Sequence, residues 1–95
     1  MKLTRFRGDN EPIVLIVKAD GVVADITGST ITLYYADKSI VGVLTDAPNG
    51  KVTFNPSGTD FQTVGQFKYK VVKIDGTIRK TIVKNIIVIN DDSVL

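Results

Sequence analysis

Gly65 to Asn90 reads GQFKYKVVKIDGTIRKTIVKNIIVIN, and the fold turns on how these residues pair. Phe67, Tyr69 and Val71 alternate with Gln66, Lys68 and Lys70. A period of two sends one side chain in two toward a core, so this half predicts a strand with an aromatic face and a basic face. Asp75-Gly76 then interrupts it. Asp-Gly is a strong hairpin signal, because both central residues of a type I′ turn need positive φ. A two-residue turn there pairs Val71 with Lys80 and Phe67 with Lys84, which sets lysines on the aromatic face. A bulge near Val71-Val72 or after Arg79 re-phases one strand and removes the conflict. The alternative is a tip that projects past the core with both faces wet. The bulge is the reading adopted.

Outward from the hairpin, the rest of the chain is also a series of short extended runs. Lys2 to Arg7 predicts a short, irregular strand, since Leu3 and Phe6 are out of phase. After the turn cluster Gly8–Pro12, Ile13, Leu15, Val17 and Ala19 share one face, and Val14, Ile16 and Lys18 the other. Turns at Asp20-Gly21 and Asp25–Gly28 lead to Ser29–Ala36, with Ile31, Leu33 and Tyr35 inward and Thr30, Thr32 and Tyr34 outward. Ser39–Thr45 carries apolar residues around Gly42, and Asn49-Gly50 is the most constrained point of the next turn. Val52 and Phe54 face inward from Lys51–Asn55, and Pro56–Val64 is a polar loop. About seven or eight strands, with turn signals every eight to twelve residues, predict an all-β, immunoglobulin-like antiparallel β-sandwich.

The bulk properties agree with one such domain spanning 1–95. A chain of 95 residues is too short for two cores, and its 43% hydrophobic and 23% charged content is that of a globular protein. Without cysteine it has neither disulfides nor thiolate metal sites, so subunit contacts are expected to supply stability that staples give other small domains. The N-terminal residues lack the apolar run of a signal peptide, and Ile13–Val17 is far too short to span a membrane. The expectation is a soluble product made in the cytoplasm, with no membrane partner.

Catalysis is opposed by the inventory. The chain has neither His nor Cys, and nine of its ten carboxylates are Asp, most of them at turns where Asp bonds its own backbone. No enzymatic role, cofactor or metal is expected. A calcium site at Asp91 and Asp92 has no EF-hand spacing behind it. Arg7-Gly8-Asp9 spells an adhesion tripeptide, and its structural reading is the start of a bend.

Three surface features remain. Val14 and Ile16 oppose an apolar face, and Ile86 and Val88 oppose Ile87 and Ile89, so these segments are apolar on both sides. A sandwich strand normally needs one such side, so the surplus is either covered by loops or the first strand, or makes these six residues a candidate protein interface and the protein a homo-oligomer. Lys68, Lys70 and Arg79 share a face and make a candidate basic surface; its bland reading is a solvated face that discourages strand pairing. Nucleic acid is not the expected partner, because the net charge is only +2 and the aromatics point the other way. Tyr34 is the outward aromatic that a carbohydrate-binding sandwich would use against a cell-surface glycan.

Several pieces occur together in order: Gly8-Asp9 before an apolar strand, Ile26-Thr27-Gly28, Gly50-Lys51-Val52-Thr53-Phe54, Gly65-Gln66-Phe67-Lys68-Tyr69, and Asp75-Gly76. In this the chain resembles the N-terminal domain family of tailed-phage baseplate upper proteins and related tail-fibre attachment domains. The resemblance implies an immunoglobulin-like sandwich in a virion, assembled in the bacterial host cytoplasm and bound to other virion proteins. It covers nearly the whole chain but includes no shaft or tip domain. That leaves a tail or baseplate adaptor, a capsid decoration protein on the head surface, or one domain of a longer protein.

Overall fold

The computed structural model describes residues 2–57 and 60–90. Its strands are β1 (Leu3–Phe6), β2 (Ile13–Ile16), β3 (Lys18–Ala19), β4 (Val22–Val23), β5 (Thr30–Tyr35) and β6 (Lys38–Val41). After these come β7 (Val43–Asp46), β8 (Lys51–Phe54), β9 (Gly65–Asp75) and β10 (Ile78–Asn90), with one 3₁₀ turn at Ala47–Asn49. A five-stranded sheet in the order β1-β10-β9-β5-β6 faces a three-stranded sheet in the order β2-β8-β7, and β3 and β4 make a separate ribbon. With β5, β9 and β10 on one sheet and β2, β8 and β7 on the other, this is a β-sandwich with an immunoglobulin-type distribution of strands.

Three expectations change. Among the described residues ten strands replace seven or eight, because the β3–β4 ribbon is separate and Ser39–Thr45 is cut at Gly42 into β6 and β7, which belong to different sheets. The sandwich is also not wholly antiparallel: β1 runs parallel to β10, Leu3 beside Ile87 and Phe6 beside Asn90. No turn joins that pair, so hairpin geometry does not dictate its direction. Leu3 is buried, and the short strand it opens is regular.

The core is what alternation leaves between the sheets. Ile31, Leu33, Tyr35, Tyr69 and Val71 come from the large sheet, and Ile13, Val52 and Phe54 from the small one, all at most 4% exposed. The β6-to-β7 crossing passes close to this core. Gly42 donates its N–H to the Ile31 carbonyl at 2.7 Å, and a Cβ there would meet Val52 Cγ2 at 2.4 Å. Two connections also fill the core: Ile26, from the turn after β4, and Phe61, from the Asn55–Val64 loop, are both fully buried. The loop is pinned there by the Gly8 N–H on the Phe61 carbonyl at 2.9 Å and the Tyr35 hydroxyl on the Asp60 carbonyl at 2.7 Å.

The β9–β10 hairpin contains the bulge, between Thr81 and Val83. Its turn lies one residue beyond Asp75-Gly76: Asp75 pairs with Ile78, leaving Gly76 and Thr77 central. Gly76 has φ 59° while Thr77 keeps a negative φ, the pattern a type II′ turn asks for. Together the moved turn and the bulge set Phe67 opposite Ile87 and Val71 opposite Val83 instead of lysines. Near the tip, Ile78, Arg79, Lys80 and Thr81 are all exposed, so this end of β10 is wet on both faces as well.

Asp75 ties this tip to β5. It accepts hydrogen bonds from the Ser29 hydroxyl and from Lys73 Nζ, the latter at 2.6 Å. Those bonds, led by the one from Lys73, hold its carboxyl below the usual Asp range. A carboxyl lowered in the fold contributes stability above its unfolded value and loses it as pH falls through the folded one. Asp75→Asn is therefore expected to melt below wild type at neutral pH, with the gap closing below about pH 4. Thermal melts of both proteins across that range are the check; a gap independent of pH would mean the charge has no role.

Candidate functional site

β2 places Val14 and Ile16 where alternation predicts. Ile13 and Leu15 turn inward, and Val14 and Ile16 remain 49% and 42% exposed on the outer face of the small sheet. Val14 stands across from Thr53 of β8, and Thr53 across from Val43 of β7, itself 54% exposed. Thr53 and Thr45 link their hydroxyls at 3.1 Å beside this row, and Lys51 lies opposite Ile16. The result is an open apolar patch with a polar middle strand. Val43 was not among the candidate residues, because Gly42 hides the phase of its strand.

The other four candidate interface residues do not join this patch. Ile87 and Ile89 are core residues with at most 1% exposure, which corrects their assignment as interface. Pairing Ile87 with Phe67, on the core-facing side of β9, sends both inward. Ile86 and Val88 point the other way and are half-buried, opposite Lys68 and Gln66 on the outer face of the large sheet. One expected interface thus separates into two outer faces on opposite sides of the sandwich, with a piece of core between them.

The register keeps Lys68, Lys70 and Arg79 on one face: Lys70 is opposite Lys84, and Arg79 opposite Ile74. Arg79 stands apart, since Ile74 and Lys70 are about 13 Å apart along β9. Lys84 takes its place beside Lys68 and Lys70, brought there by the bulge. These lysines and Tyr34 line a shallow cleft. Tyr34 is half-buried, with Lys70 Nζ 5.7 Å from its ring centre, so a cation already covers the ring that would stack on a sugar. From Gly65 to Asn90 there are six basic residues and one carboxylate, Asp75, which Lys73 and Ser29 already engage.

Asp9, Asp25 and Asp60 act locally. Asp9 accepts the Phe6 N–H at 3.0 Å, and Asp60 the Ser57 N–H at 2.7 Å. Asp25 accepts from the Thr27 hydroxyl and N–H, which lower its pKa. Gly8-Asp9 of the adhesion tripeptide thus makes a bend, with the Asp9 carboxylate turned to its own backbone. No group of three metal-ligating carboxylates occurs among the described residues, and Asp91 and Asp92 lie outside them.

The described residues form an immunoglobulin-type sandwich whose distinctive surfaces are sheet faces and a long basic hairpin. Its fold is shared with the solved N-terminal domain of phage TP901-1 ORF48: TM-score 0.72 and 15% identity, covering 93% of this chain and 83% of that one. No family model and no curated protein sequence matches the chain.

Proposed function

We propose that the chain is a non-enzymatic structural module of a phage virion, which self-associates and binds other virion proteins at the tail or baseplate. The observation that carries this reading is the near full-length fold likeness to a phage protein domain. The open apolar patch of Val14, Ile16 and Val43 supports it, because exposed apolar surface of this kind is hidden in an assembly. Burial of that patch supplies the driving force, and Lys51 and the threonines at its middle orient the contact. Repeated copies on a symmetric particle make each weak contact effective through avidity.

The test is native mass measurement of the wild type and of Val14→Lys/Ile16→Lys. The wild type is expected to assemble, and the variant to be a folded monomer, since both positions face solvent and a lysine there leaves the core intact. A wild type that stays monomeric at high concentration and fails to co-sediment with phage particles would defeat the proposal. A variant that assembles as the wild type does would remove this patch from it.

A further inference from the structure

Along the outer edge of β10, the run from Ile78 to Ile86 has no strand beside it among the described residues, because β1 meets β10 only from Ile87 to Asn90. That run is roughly 30 Å long. The other edge strands are β1, β2, β6 and β7, of four residues each, and β3 and β4, of two, too short to hold a partner well. An uncovered edge offers backbone N–H and C=O groups to an incoming strand, and β-strand addition is a common way to bind an extended peptide.

The side chains along the edge say which strand fits. Arg79, Lys80 and Lys84 are exposed there, Lys68 and Lys70 stand on the neighbouring strand, and neither strand has a carboxylate free of partners. Ile82 and Val83 are half-buried and pack against the core, so their outer flanks are open to a further apolar side chain. A second copy fits poorly, because edge-to-edge pairing would set these cations against their own counterparts. A cleft of about 380 Å³ lined by Lys68, Tyr69, Lys84, Asn85 and Ile86 opens beside the point where β1 begins.

We propose that this edge is a β-augmentation site for an extended acidic segment of a partner protein, with carboxylates alternating with apolar residues. Acidic side chains on one face of the added strand meet Lys84 and Arg79, and apolar ones on the other extend the core over Ile82 and Val83. This surface is separate from the Val14 and Ile16 patch and stands or falls independently of it.

The test uses a synthetic peptide of alternating Glu and Val, titrated into isotope-labelled protein and followed by amide NMR and hydrogen exchange. Binding is expected to shift and protect amides of β10 between Ile78 and Ile86 and to weaken with added salt. Arg79→Glu/Lys84→Glu, at exposed positions and with unchanged melting, should bind roughly tenfold more weakly, since attraction becomes repulsion. N-methylating alternate peptide residues should abolish binding, because backbone pairing is then blocked. Absence of binding, equal affinity for an alternating Lys and Val peptide, or indifference to N-methylation would overturn the proposal. So would tighter binding of a single-stranded oligothymidylate at this edge, or concentration-dependent protection of the same amides in the protein alone, which would identify a second copy as the occupant.

Discussion

Gly50→Ala is expected to lower stability by about 2–5 kcal/mol, combining the left-handed backbone cost with overpacking. Gly50 closes the 3₁₀ turn with φ 73°, and its carbonyl accepts the Val17 N–H at 2.8 Å. A Cβ on it would lie 2.6 Å from the Val17 carbonyl oxygen and 2.8 Å from that of Ala24. Both obstacles are backbone atoms of segments that are themselves paired, the Ala24 N–H donating to that same Val17 carbonyl at 3.0 Å. The Val17 carbonyl cannot retreat without breaking that bond. Each kcal/mol is worth ~4–8 °C in a domain of this size, so the melting temperature should fall by roughly 8–40 °C. Gly21→Ala is the control: its φ is 78° and nothing lies within 4 Å of the new Cβ, so it incurs the backbone cost alone. Equal melting of the two variants would show that crowding against Val17 and Ala24 has no consequence.

Phe61→Ala should cost about 3–5 kcal/mol, the range for emptying a buried aromatic site. The ring is fully buried, 5.5 Å from the Tyr35 ring, and Tyr35 in turn meets the Phe67 ring at 5.6 Å. Removing it deprives Tyr35 of a stacking partner and leaves the loop held mainly by its backbone bonds. Tyr35→Phe, which loses only the hydroxyl bonded to the Asp60 carbonyl, should cost about 1 kcal/mol. Denaturant unfolding of both separates ring burial from the hydrogen bond. A Phe61→Ala variant no less stable than Tyr35→Phe would show that the loop does not complete the core.

The inward residues of β2, β5, β8 and β9 are readable from alternation, since a strand has two faces and the core takes one. The bulge in β10 was readable too, as a conflict: a simple ladder drives Lys84 against Phe67, and a one-residue slip removes it. Ile26 and Phe61 were not readable, because each lies in a polar segment without periodicity. Burial there depends on where a connection crosses the end of the sandwich. Among the candidate site residues, Val14 and Ile16 were legible for the same reason as the core. Ile87 and Ile89 were not separable from Ile86 and Val88, because in a run apolar on both faces only the partner strand tells inside from outside.

The amino-acid order alone determined a chain of short strands around one core, the faces of most of them, and a long basic hairpin, because these depend on neighbours two residues apart. Tertiary structure decided the parallel pairing of β1 with β10, the change of sheet at Gly42 and the two connections that enter the core. It also decided that the apolar surplus divides between opposite faces of the sandwich. Each of these depends on contacts between residues far apart in the chain, and local periodicity carries no information about which distant segment will lie alongside.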